Sequence, residues 1–211
     1  MVDTSTVDEM SLTKKQQDHI IQTATELFGS YGVKTITMDD IASNCGISKK
    51  TLYRVFENKY ELLQVVVATI NIRVSEAIYA LRESDNAVEE VFLSLPLTLK
   101  IFREVNYRML LEIEKYHYEI WRKVEVFRQQ IILDFIRANL QRGLEEGLFR
   151  DDLDLDVMAH MRLQQLNQIH SVSGTNHSDV PHMLQQMTIH YLSGVATNRG
   201  RNQISKLSSI H

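Results

Sequence analysis

Between Ser48 and Lys59 the chain gathers Lys49, Lys50, Thr51, Tyr53, Arg54 and Lys59. On a helix, Leu52 and Phe56 lie four apart on one side, and Lys49, Lys50, Thr51, Tyr53 and Arg54 turn the other way. That side is a cluster of hydrogen-bond donors with one aromatic, suited to phosphate oxygens and the polar edges of bases. Thr37 and Ser48 each stand at the start of a short helix, where a hydroxyl beside unpaired amides also suits a phosphate. A lysine pair by itself is ordinarily solvated surface, so the reading rests on the register of the surrounding segments.

Those segments agree in phase. Ile20, Ile21, Ala24, Leu27, Phe28 and Tyr31 form one apolar stripe at helical spacing, and Gly29 to Gly32 end it. Thr37-Met38-Asp39-Asp40 is a capping pattern in which hydroxyl and carboxylate satisfy the first amides of a second helix. That helix stops at Gly46, which permits the positive φ of a tight turn. Ser48 then caps a third helix, Lys49 to Phe56, which Asn58 closes. Two helices of about eight residues around a short turn have the proportions of a helix-turn-helix. Ala42 is small enough for a close crossing, and Ile41 and Ile47 add apolar contacts. Cys45, the sole cysteine, has no partner for a disulfide and reads as a small buried apolar residue.

The 211 residues are 44% hydrophobic and 24% charged, which excludes disorder and a disulfide scaffold. Eight glycines and two prolines are too few for the turns of an all-β protein. A net charge of −4 argues against nucleic-acid contact over the whole surface, yet seven bases face five acids between Lys14 and Lys59. The apolar run Val91 to Leu99, bracketed by Glu90 and Lys100, has about half the ~20 residues a membrane span needs. Without a secretory signal, a cytoplasmic location is expected. No HExxH, GxSxG, P-loop or dinucleotide pattern occurs, and Ser171-Val172-Ser173-Gly174 lacks the flanks of a nucleophile elbow, so no enzyme and no cofactor are expected. Asp151, Asp152, Asp154 and Asp156 lack calcium-loop spacing and suit the amino end of a helix; neither they nor His177 and His182 are expected to hold a metal.

The rest of the chain reads as a helical body. Apolar positions from Leu63 to Leu81 predict a helix of about six turns from Lys59. Further helices are expected at about 85–105, bent or broken near Pro96, then 106–116, Trp121–Glu146, Val157–Ser171 and from Pro181 to about Asn198, with a loop at Ser171–Ser178. Residues 1–13 and 199–211 read as mobile tails. Phe102, Tyr107, Tyr116, His117, Trp121 and Phe127 have two readings. They fill the bundle core, or they enclose an apolar or aromatic small molecule. Val157, Met161, Leu166 and Ile169, with Met183, Met187, Tyr191 and Gly194, form stripes suited to pairing with a second copy.

The run Ile41 to Leu63, preceded by Ala24-Thr25-Glu26-Leu27-Phe28 and Thr37, resembles the DNA-binding domain of TetR-family transcriptional regulators over residues 14 to 63. Gly46-Ile47-Ser48, Thr51-Leu52-Tyr53 and Phe56-Glu57-Asn58-Lys59 stand in the family's register, and Glu146 to Asp154 is similar to a segment many members carry before their penultimate helix. Many members have histidine where Val55 stands, and valine offers a phosphate no hydrogen bond. The resemblance implies an all-α chain with a three-helix DNA-binding head at 14–60 and a larger helical-bundle effector and dimerisation domain at 61–198. It implies a homodimer through the last two helices, a palindromic double-stranded operator and a repressor released by a small molecule of unspecified chemistry. It makes Thr37, Ser48, Lys49, Lys50, Thr51, Tyr53, Arg54 and Lys59 the DNA-facing set. The alternative is a helical protein-interaction module whose head no longer binds DNA.

Overall fold

Helix ends in this chain are fixed by side chains within a few residues, and their faces by what they bury. The computed structural model describes the backbone of residues 4–172 and 179–208 and the side chains of 14–169 and 179–208. Among the described residues the order is α1 (Thr4–Tyr31), α2 (Met38–Asn44), α3 (Lys49–Val55), α4 (Lys59–Leu81), α5 (Ala87–Glu104), α6 (Tyr107–Tyr116) and α7 (Tyr118–Phe127). A π-helical turn, Arg128–Ile132, joins α7 to α8 (Leu133–Glu145), and α9 (Leu155–Val172), α10 (Val180–Val195) and α11 (Asn198–Ser208) follow. One isolated antiparallel bridge pairs Phe149 with Ala196. The chain is all-α, as expected.

Packing divides it into two units. The first is Met1–Asn71 with Glu104–Trp121, the second Ile72–Arg103 with Arg122–His211. In the first, α1 packs on α2 and α6, and α2 on α3. Its core holds Ile20, Ala24, Phe28, Ile41, Leu52, Phe56, Leu62, Leu63, Met109 and Ile113. Cys45 is buried there as an apolar filler, whereas Tyr31, placed on the α1 stripe by spacing, is 56% exposed. In the second unit α8 packs on α9, and α10 on α9 and α11. Its main cluster is built on Val88, Phe92, Leu133, Ile136, Leu140, Phe149, Leu163, Leu192, Val195 and Ile204.

Several elements differ from expectation. Residues 4–13, expected as a tail, already belong to α1. The expected carboxy-terminal tail is α11, which buries Gly200 and Ile204. Its helix is legible only through that packing, because it carries few apolar residues. α5 continues through Pro96. The expected Trp121–Glu146 helix begins earlier, at Tyr118, and contains the π turn. Asn58 starts α4 rather than closing α3: its Oδ1 accepts the Glu61 amide at 2.9 Å. Ser171 and Val172 end α9, and 173–178 of the expected loop, His177 among them, lie outside the described residues.

The pairing stripes on the last two helices need correction. Val157 and Met161 are about half exposed, but Ile169 and Tyr191 are buried within the unit and Leu166 packs against its core. Met183 and Met187 pack against a small cluster of Ile169, Val180 and Leu184. The wider apolar face of α9 is therefore spent on its own subunit. By length and composition α4 is one helix long and apolar enough to cross a membrane, a candidate that the search for unbroken apolar runs passed over. Leu62, Leu63, Val66, Val67, Val74 and Ile78 are nevertheless buried, as in a core helix.

Candidate nucleic-acid interface

The turn geometry that presents α3 is local chemistry. Thr37 Oγ1 accepts the Asp40 amide at 3.2 Å, and Asp40 Oδ2 accepts the Thr37 amide at 2.8 Å and its hydroxyl at 2.6 Å. Both halves of the expected capping box are present. These bonds hold the exposed Asp40 carboxyl below its ordinary range, the Thr37 hydroxyl contributing most. At the other end of α2, the Gly46 amide donates to Ser43 O at 3.1 Å and the Ile47 amide to Ala42 O at 3.0 Å. This pair of bonds is the Schellman arrangement, and it needs the left-handed residue supplied by Gly46 at φ +65°. Ser48 Oγ then accepts the Thr51 amide at 3.1 Å and starts α3.

The result is a helix with a divided surface. Leu52 is fully buried and Phe56 nearly so, while Ser48, Lys49, Lys50, Tyr53 and Arg54 are exposed. Thr51 is half-buried, its hydroxyl 2.9 Å from that of Ser48. Lys49 pairs with Asp39 at 2.5 Å, and both side chains remain more than half exposed. Such a pair is weak and screened, so a phosphate can displace the carboxylate. Thr37 is exposed, but its hydroxyl is engaged in the cap.

Lys59, the first residue of α4, is half-buried. Burial lowers its pKa, against the attraction of the Glu112 and Asp40 carboxylates, which raise it. Glu112 on α6 is a residue that sequence reasoning missed. Its Oε2 accepts the Lys34 amide at 2.7 Å in the α1–α2 loop, and Arg108 lies 3.4 Å from its Oε1. Gly32 sits against it at φ +84°, where a Cβ would come within 2.9 Å of the carboxylate. α6 thus braces the loop leading into Thr37. A signal existed: Met109, Leu110 and Ile113 mark the buried face of α6, and Glu112 adjoins it.

The six aromatic and histidine positions read as core or pocket do not belong to one unit. Tyr107, Tyr116, His117 and Trp121 lie in the first, Phe102 and Phe127 in the second. Tyr116 is exposed, with the Lys34 and Lys115 ammonium groups 5.6 and 5.4 Å from its ring centre. His117 is half-buried, 6.0 Å from the Tyr60 ring. Its pKa is lowered by burial and by Lys59, against the opposing pull of Glu112. Phe102 packs against Ile169, Val180 and Leu184.

A capped helix-turn-helix that turns a basic, aromatic-bearing face outward from an all-α chain defines a DNA-binding transcriptional regulator. Residues 20–66 match the model of the bacterial regulatory proteins of the tetR family. The chain is 30% identical over 145 residues to the uncharacterised HTH-type transcriptional regulator YvaF of Bacillus subtilis, spanning 64% of this chain and 72% of that relative. It is 24% identical over 164 residues to the HTH-type transcriptional repressor KstR2 of Mycolicibacterium smegmatis, spanning 72% of this chain and 76% of that one. In fold it is similar to a TetR-family transcriptional regulator from Agrobacterium tumefaciens, with a TM-score of 0.76, 15% identity, and coverage of 88% of this chain and 100% of that one. The chain belongs to the TetR family. These relatives are regulators, not enzymes.

Proposed function

We propose that this protein is a cytoplasmic homodimeric repressor that holds a palindromic operator with two copies of α3 and releases it when a small molecule binds its helical body. The observation that carries the reading is the divided surface of α3, with Leu52 buried and Lys50, Tyr53 and Arg54 in solvent. Lys49, Lys50, Thr51 and Arg54 reach base edges in the major groove, where lysine or arginine reads guanine and a threonine methyl meets thymine. Tyr53 and Lys59 grip the phosphate backbone, and the amides at the helix starts behind Thr37 and Ser48 add phosphate contacts. Repression is supported by the name of the KstR2 relative.

Pairing through α9 and α10 is supported by the face they leave open. Val157 and Met161 project from α9 beside a groove of about 530 Å³, and Gly194 on α10 has open space beyond its Cα. A twofold axis there sets two recognition helices for half-sites about 34–36 Å apart, or a multiple of that spacing. A ligand that favours another spacing withdraws the dimer from DNA, and a coupling of about 1–3 kcal/mol changes operator affinity about 5- to 150-fold.

The test is selection of bound duplexes from a random pool by the purified protein, with and without candidate small molecules. A palindromic consensus whose affinity falls steeply between 50 and 200 mM salt is expected, because binding releases counterions from the phosphates. A protein that selects no duplex, or remains monomeric at every concentration, does not have this function.

A further inference from the structure

α9 carries one charge on its inward face. Met158, Ala159, Leu163 and Leu166 pack with the main cluster of the second unit, and Arg162 shares their side of the helix with only 4% of its surface exposed. Its Nη2 donates to Thr188 Oγ1 on α10 at 2.8 Å, and the guanidinium stands 4.8 Å from the centre of the Tyr191 ring. No carboxylate pairs with it among the described residues. Burial lowers its pKa only to about 10, so it remains a cation at neutral pH.

Arg142 on α8 of the same unit shows what a purely structural arginine receives. It is more exposed than Arg162, yet it has Glu146 at 2.7 Å, Glu90 at 3.5 Å and the Ser84 carbonyl at 2.7 Å. Around Arg162 the opposite holds. Its Nη1, the Tyr191 hydroxyl and Gln165 Oε1 are buried without a hydrogen-bond partner, and all three lie on α9 or α10. A buried cation with no counter-charge and a neighbouring donor left unused is a costly arrangement that an anion completes.

Gln165 also lines the groove on α9 beside Val157 and Met161, so the unpaired cluster and the groove share a wall. Asp156, at the far end of that groove, is paired with Arg137 at 2.7 Å. We infer that Arg162 and Tyr191 form an anchor for the carboxylate of a small monocarboxylic acid whose apolar body lies along Val157 and Met161. The carboxylate oxygens accept from Arg162 Nη1 and the Tyr191 hydroxyl, and displacement of the Gln165 side chain admits them. A guanidinium with a tyrosine hydroxyl selects a planar, two-oxygen anion over an alcohol or ester of the same length. The site itself stands on geometry within one subunit. Only its consequence, release of DNA, rests on the function proposed above.

The experiment uses the full-length protein and linear saturated monocarboxylates of four to ten carbons, each matched with the primary alcohol of equal length, with binding read by calorimetry. At least one acid is expected to bind at least tenfold more tightly than its alcohol. Arg162→Met is expected to abolish that preference, and Tyr191→Phe, which keeps the ring against the guanidinium, to reduce it several-fold; circular dichroism checks the fold of each. If Arg162→Met fails to fold, the Tyr191→Phe measurement decides. Equal binding of every acid and its alcohol to the wild type, or an acid preference unchanged in the folded variants, overturns the anchor. Carboxylate binding that leaves operator affinity unchanged supports the anchor and overturns the ligand-release part of the proposed function.

Discussion

Lys50 and Arg54 on α3 and Arg162 on α9 all lack an ion pair among the described residues, in opposite surroundings. Water solvates the two on α3 at no cost, so each alone says little about function. They acquire meaning from the capped frame that points them the same way. Arg162 is excluded from water, and its lack of a counter-charge is informative by itself. Exposed charge is thus read through register, buried charge through its missing partner.

The comparison breaks most visibly at α3. Replacing Lys50 and Arg54 together by alanine should weaken operator binding by about 1–3 kcal/mol for each base-edge hydrogen-bonding side chain removed, and reduce its salt dependence. The thermal midpoint should hardly move, because neither side chain supports the core. A fall in folding stability comparable to the fall in affinity in a duplex-binding titration would show that these cations are structural.

Next is the frame. A Cβ at Gly46 meets nothing within 4 Å, so Gly46→Ala tests backbone conformation alone. At φ +65° the substitution should cost about 1–2 kcal/mol, seen as a lower urea midpoint. Ser48→Ala should cost about 1 kcal/mol by removing the cap. Both variants should weaken DNA binding without touching a charge.

What sequence revealed follows the same division. Thr37, Gly46 and Ser48 were legible because a cap is decided within four residues, and the face of α3 followed from the burial of Leu52 and Phe56 at helical spacing. Glu112 acts on a loop 78 positions away, a relation that periodicity does not contain. Arg162 was legible in part: it sits among Met158, Leu163 and Leu166 on an apolar register, where a charge is out of place. Its partners Thr188 and Tyr191 come from another helix, and Tyr191 was assigned by pattern to a surface that it does not reach. α11 was unreadable for the same reason, its helix being held by packing around Ile204.

The buried side of the comparison predicts a gain. Arg162→Met replaces a desolvated cation by an apolar chain of similar length and gives up one hydrogen bond to Thr188. The ligand-free variant should be more stable by about 1 kcal/mol, a rise of roughly 2–4 °C in midpoint for a chain of this size. A fall in the midpoint would mean that the bond to Thr188 and the packing on Tyr191 outweigh desolvation.

The smallest effect concerns a charge that is half-buried. His117 has its pKa lowered by burial first and by Lys59 second, with Glu112 opposing. The unfolded chain takes up a proton near pH 6.5, whereas the folded chain resists until lower pH. Below 6.5 the unfolded state therefore binds more protons, and its population grows as acid is added. Stability attributable to His117 is fully present above pH 6.5 and is lost as pH falls through the folded value. Asp40, also lowered, acts only below its ordinary value of 3.8, and Lys59 only on the alkaline side below 10.5, so neither overlaps this window. Urea midpoints measured from pH 7.5 to 5.5 should decline in the wild type and flatten in His117→Asn. An unchanged slope would assign the decline to another histidine and leave the grouping of His117, Tyr60 and Lys59 without a role in acid sensitivity.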